Sequence, residues 1–98
     1  MKVSVIDIQV PPEAGDRDPS ARAPFDVRVL VEIGSEREWF SVTVRPGIVP
    51  GFESSLVAAS PELLDRFQDD QPTMREICRL AGQAARLGAV HLPQRIAA

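Results

Sequence analysis

The stretch FDVRVLVEIGSEREWFSVTVR, Phe25–Arg45, decides the fold, because apolar residues alternate on both sides of a Gly-Ser pair. The alternating residues are Phe25, Val27, Val29, Val31 and Ile33, then Phe40, Val42 and Val44. Alternation with period two is typical of strands that bury one face. Glycine at the first position of a two-residue turn favours a type II′ hairpin. The stretch therefore predicts a hairpin of strands 25–33 and 38–45 in which Val29 faces Phe40.

The same register places an apolar island on the opposite face of the hairpin. Leu30 and Trp39 face each other there, because successive side chains of a strand point to opposite faces. Their neighbours on that face are polar or charged: Asp26, Arg28, Glu32, Ser41, Thr43 and Arg45. Because Trp is enriched at interface hot spots, we predict that Leu30 and Trp39 bind a partner. The alternative is that the 11–24 loop or the C-terminal tail folds over them.

The N-terminal part predicts one more strand and a long loop. Val3–Val10 is rich in Val and Ile, but its alternation is imperfect, so it is either buried on both faces or bulged near Val5–Ile6. Residues 11–24 combine Pro, Ala and charged residues without periodicity, which is typical of a mobile surface loop.

The C-terminal half predicts helices. We expect a short helix at Phe52–Ala59, and a second one that begins at Ser60-Pro61 with Ser60 as N-cap. Thr73 and Glu76 have capping-box spacing for a long last helix that Gly88 ends. The tail VHLPQRI is expected to be a loop or an extended edge segment, because it contains proline.

Together these segments predict one α+β domain over residues 1–98. Its small antiparallel sheet has about three strands, and two or three C-terminal helices pack on one face of that sheet.

Ile48–Leu56, IVPGFESSL, locally resembles the segment of FKBP-type prolyl isomerases where a strand passes through a Pro-Gly turn into a short helix. The resemblance covers about a tenth of the chain. The rest of that family's pattern is missing, and with no Tyr and few aromatic residues a proline-binding pocket is hard to build. We interpret Arg45–Glu53 as the corner where a sheet gives way to helices.

Three arginines form a second candidate surface. Arg75, Arg79 and Arg86 fall within about 40° of one another on a helical wheel. They indicate either a solvated helix face or a site for an anionic partner, which is an acidic protein surface or nucleic acid. The formal net charge of −3 argues mildly against general nucleic-acid binding.

The composition predicts neither an enzyme nor a metal protein. Cys78 and His91 are the only residues of their types. Cys78 is expected on an apolar helix face, where thiols are normally inert. We find no nucleophile–base pair, metal-ligand set, phosphate loop or other cofactor site, no signal peptide and no membrane span. A reducing cytoplasm fits the single cysteine best.

The sequence therefore predicts a small intracellular, non-enzymatic protein-binding or regulatory module that uses the outer sheet face to form homodimers or to bind another protein. The alternative is a nucleic-acid-binding regulator that uses the arginine face of the last helix. The partner-binding residues of these two hypotheses are Leu30, Trp39, Arg75, Arg79 and Arg86.

Overall fold

A computed structural model of the chain describes residues 2–11, 24–46, 55–87 and 90–97. In chain order its elements are β1 (Val3–Gln9), β2 (Phe25–Ile33), β3 (Glu36–Pro46), β4 (Ser55–Ala59), α1 (Pro61–Arg66), α2 (Gln71–Leu87) and β5 (Gln94–Ala97). The segments predicted as a mobile loop and as a Pro-Gly corner lie mostly outside the described residues, as does Gly88.

In the described part of the chain the sheet has five strands, in the order β4-β3-β2-β1-β5, and every neighbouring pair is antiparallel. It curls into a half-barrel around α2, which contacts all five strands. The prediction of about three strands with two or three helices is wrong. β4 lies where a short helix was predicted, and β5 lies in the tail that was predicted as a loop or an extended edge segment. Within the described residues these two strands are the edges of the sheet.

The central hairpin has the predicted register. Val29 pairs with Phe40, and Leu30 pairs with Trp39. Gly34 has a φ of 63°, whereas Ser35 does not have a positive φ. A positive φ at the first turn position alone is typical of type II′, whose twist matches that of the flanking strands. Period-two alternation and turn chemistry together thus determine the register.

β1 contains the irregularity that its sequence suggested. Its pairing with β2 shifts between Val5 and Asp7, so Ile6 is the extra residue of a β-bulge. Val5 pairs with Val31 before the bulge and Ile8 with Val29 after it. The bulge thus keeps apolar residues on the buried face at both ends of the strand.

The short helix predicted at Phe52–Ala59 is wrong for the part that the structure describes, because Ser55–Ala59 is strand β4. It pairs with β3 without any register shift, Val57 opposite Val44. A strand is favoured here because β3 offers a free edge and because Val57 packs against the core. The ladder also fixes the chain before α1, since the Ser60 N–H donates to the Ser41 carbonyl over 3.2 Å.

The core lies between the concave face of the sheet, called the inner face below, and the two helices. The strands contribute Val3, Val5, Val27, Val29, Val31, Ile33, Phe40, Val42 and Val44, and the helical part contributes Leu63, Phe67, Ile77, Leu80, Ala81 and Ala84. Phe40 and Phe67 meet edge to face with ring centroids 6.2 Å apart. As predicted, Ser60 is the N-cap of α1, and its side chain accepts from the Leu63 N–H.

The predicted capping box of the long helix is wrong, because α2 begins at Gln71 and Asp70 caps it. One Asp70 carboxylate oxygen accepts from the Thr73 N–H at 3.4 Å, and the other accepts from the Thr73 hydroxyl at 2.6 Å. Pro72 then lies in the first turn, where its missing N–H costs nothing. Thr73 is buried, while Glu76 pairs with Arg79 instead of the helix start.

Candidate partner-binding face

The convex side of the sheet, called the outer face below, has Leu30 and Trp39 near its centre. Leu30 lies on β2, the middle strand, and Trp39 is directly opposite it on β3. Both described helices pack on the inner face. Trp39 is 37% exposed, and Leu30 is half-buried. The apolar pair therefore lies on the convex face, across two neighbouring strands of the sheet.

Arg28 belongs to this site, although from the sequence it was expected only among the polar surroundings. Its guanidinium carbon lies 4.9 Å from the centroid of the Trp39 ring. This distance is within the range of a cation–π contact, which contributes about 0.5–1 kcal/mol at an exposed site. The contact holds the indole against the sheet while Arg28 itself stays exposed. An arginine diagonal to a tryptophan on one strand face was the signal available in the sequence.

The bulge in β1 brings a third apolar residue to this region. In a bulge two residues oppose one, so Ile6 and Asp7 both lie opposite Leu30. Ile6 is half-buried, yet among the described residues it is not one of the side chains packed against the core. We call Ile6, Leu30 and Trp39 with Arg28 the outer patch. The sequence suggested the bulge but could not assign Ile6 to a face.

On each side of the outer patch, two polar side chains are bonded to each other. On one side Arg37 Nε lies 2.9 Å from a Glu32 carboxylate oxygen. On the other side the Thr43 hydroxyl donates to Asp26 over 2.8 Å. Both pairs are cross-strand neighbours, Glu32 with Arg37 and Asp26 with Thr43. These pairs give the patch a rim of mixed charge with defined side-chain positions.

The arginines of the long helix form a less continuous surface than the helical wheel suggested. Arg75 and Arg79 are exposed, and the side chain of Arg86 lies outside the described residues. Gly82, which shares their side of the wheel, is buried, and a Cβ there would lie 3.0 Å from Val57 Cγ2. Strand β4 therefore covers the helix in the middle of the predicted stripe.

Arg79 is also paired within its own helix. Its Nη2 lies 2.9 Å from Glu76 Oε2, and its Nη1 donates to Gln83 Oε1 over 3.3 Å. The hydrogen bonds from Arg79 lower the pKa of the Glu76 carboxyl below its ordinary value. This arginine thus already has an anionic partner, which agrees with the interpretation of the stripe as a solvated helix face.

The residues of chemical interest are dispersed. Cys78 is half-buried, and burial raises the pKa of its thiol, which disfavours the reactive thiolate. Among the described residues no three His, Cys, Asp or Glu side chains cluster as metal ligands. An open hollow of about 500 Å³ is lined by Ile33, Glu36, Arg37, Glu38 and Arg66, none of them a nucleophile of the Ser or Cys type.

No described helix is long and apolar enough to cross a membrane. Comparison with known proteins adds no family: no family model matches the chain, and neither a curated protein nor a solved structure is detectably similar to it.

Proposed function

We propose that this protein is a non-enzymatic binding module that self-associates through the outer patch. The observation that carries the proposal is the exposure of the chain's only tryptophan, next to Leu30 and under the Arg28 guanidinium, on a sheet face that no described helix covers. Trp and Arg are the residues most enriched at interface hot spots, and such residues cluster near the centre of an interface.

A second copy is the occupant that the surface supports best. The outer patch and its surroundings carry both signs, with Arg28 and Arg37 near Asp7 and Glu32, so no single-sign field opposes an identical surface. An isologous two-fold contact is also the commonest arrangement in soluble oligomers. A cytoplasmic location, the other part of the sequence-based hypothesis, remains a prediction.

The curvature of the sheet limits the strength of this contact. Two convex faces touch over less than the roughly 800 Å² per partner of a standard interface. We therefore expect a reversible dimer with an affinity in the micromolar range or weaker, in which the central apolar side chains supply most of the binding energy.

The test is the solution mass of the wild type and of Leu30→Lys, measured by sedimentation over a wide range of protein concentrations. The mass of the wild type should rise with concentration. The mass of Leu30→Lys should rise less over the same range, because its outer patch no longer associates. Glu62→Lys is the matched control, because Glu62 is an exposed first-turn residue of α1 on the other side of the molecule. Equal association by Leu30→Lys and the control would contradict the proposal.

A further inference from the structure

The two edges of the sheet differ in how they are protected against pairing. β5 has four residues, carries Arg95, follows Pro93 and has an irregular register with β1. Short length, charge, proline and bulges are the features by which edge strands avoid pairing with other chains. β4, whose sequence is SLVAA, has no charge, no proline and no register shift. Only one of its sides is paired among the described residues.

The hydrogen-bond pattern shows which backbone groups of β4 are directed away from the sheet. The Ser60 N–H donates to the Ser41 carbonyl, which continues the pairing of β4 with β3. Hydrogen-bonded and non-hydrogen-bonded pairs alternate along an antiparallel ladder. Ala58 is therefore bonded to Thr43 of β3, whereas the N–H and C=O groups of Val57 and Ala59, like those of Ser55, are directed to the outer edge.

This pattern is complementary to itself. Val57 is the middle residue of a five-residue strand, and its backbone groups point outward. If two copies of β4 run antiparallel about a two-fold axis at Val57, Val57 meets Val57 of the other copy and Ser55 meets Ala59. Every outward-facing residue then has an outward-facing partner, as the hydrogen-bonded pairs of an antiparallel ladder require. No charged side chain opposes this pairing.

We propose that β4 is a second self-association site, at which the β4 strands of two copies pair antiparallel and join their sheets into one. This edge is separate from the outer patch, and the proposal for β4 does not depend on association through that patch. A chain that uses both sites assembles beyond a dimer, into a closed tetramer if the two axes are compatible and into an open chain if they are not.

The experiment combines one substitution at each site and follows the mass relative to the 10.7 kDa monomer. Leu30→Lys disables the outer patch. Ala58→Lys adds a charge to the edge strand at a side chain that is exposed and outside the core. Ala58→Thr is its control, because it changes the same position without a charge and with a residue that favours strands. Amide hydrogen exchange at Val57 and Ala59 is measured in parallel.

We expect Leu30→Lys and Leu30→Lys with Ala58→Thr to form dimers, and Leu30→Lys with Ala58→Lys to remain monomeric. The Val57 and Ala59 amides should exchange slowly in the dimers and rapidly in the monomer, while the Ala58 amide stays protected in both. A Leu30→Lys protein that is folded and monomeric at every concentration would overturn the edge proposal and leave the outer patch intact. If the single variant Ala58→Lys has a lower mass than the wild type and the single variant Leu30→Lys does not, the edge proposal is supported and the outer patch is contradicted.

Discussion

Two neighbouring residues of β3 show how differently the two faces of this sheet are used. Phe40 is 3% exposed and packs against Phe67, while Trp39 is 37% exposed and lies under Arg28. Both are aromatic, and only the direction of the side chain separates them. The inner residue contributes to the folding of the domain, and the outer one is available for association. Hydrophobicity alone therefore does not distinguish a core residue from a surface residue here; register does.

The largest expected difference between the faces is in folding stability. Phe40→Ala should lower the free energy of unfolding by about 3–5 kcal/mol, because it removes a buried ring and leaves a cavity. Trp39→Ala should cost less than about 1 kcal/mol in the Leu30→Lys background, where association through the outer patch does not contribute. Urea denaturation of both variants checks this comparison. Equal losses would mean that Trp39 is part of the monomer's core.

A second expected effect concerns the close approach of α2 to the inner side of β4. Gly82→Leu should cost about 1–3 kcal/mol, because its side chain would enter space occupied by Val57. The same substitution in a Val57→Ala background should cost less, since the smaller partner makes room. A double-mutant cycle from denaturation midpoints measures this coupling. Additive effects would contradict the contact between α2 and β4.

A smaller loss of folding stability is expected from substitutions at the start of α2. Asp70→Ala should cost about 1 kcal/mol through loss of the N-cap that accepts from Thr73. Glu76→Ala is the control for the alternative capping box and should cost less. If Glu76→Ala were the more damaging change, the helix that covers the inner face would begin at Thr73 after all.

The smallest effect is expected on the solvent side of the same helix. Glu76→Gln should cost only about 0.2–0.5 kcal/mol, the range of paired charges on an exposed helix. Because Arg79 lowers the Glu76 pKa in the folded chain, the stabilisation is present above the ordinary value of 4.5 and is lost as the pH falls through the lower folded pKa. Denaturation at several pH values and salt concentrations tests this, and a difference that grows on acidification would contradict it.

The central hairpin was predictable because its information is local. Alternation over 25–33 and 38–45 and a glycine at the turn fix the pairing of Val29 with Phe40, and with it the outward position of Leu30 and Trp39. Arg28 could have been added to the site from the same register. Its stacking on the indole, however, depends on side-chain conformations that the pattern does not specify.

The β4 edge and the helix start were not predictable in the same way. SLVAA at Ser55–Ala59 is short and rich in small residues that suit a helix or a strand, and only its ladder with β3 decides between them. Asp70 and Thr73 are both good N-caps, and the sequence does not show that Thr73 is buried and donates to Asp70 as the third residue of the helix. Ile6 could be assigned to a face only when the partner of its bulge was known.

The most direct test of the outer patch as an interface is the emission of Trp39, the only tryptophan, as protein concentration rises. The emission should shift to shorter wavelength as the indole leaves water, and the shift should be absent in Leu30→Lys at the same concentrations. Emission that stays at one wavelength over a range in which the wild-type mass increases would place the contact elsewhere and contradict the central claim.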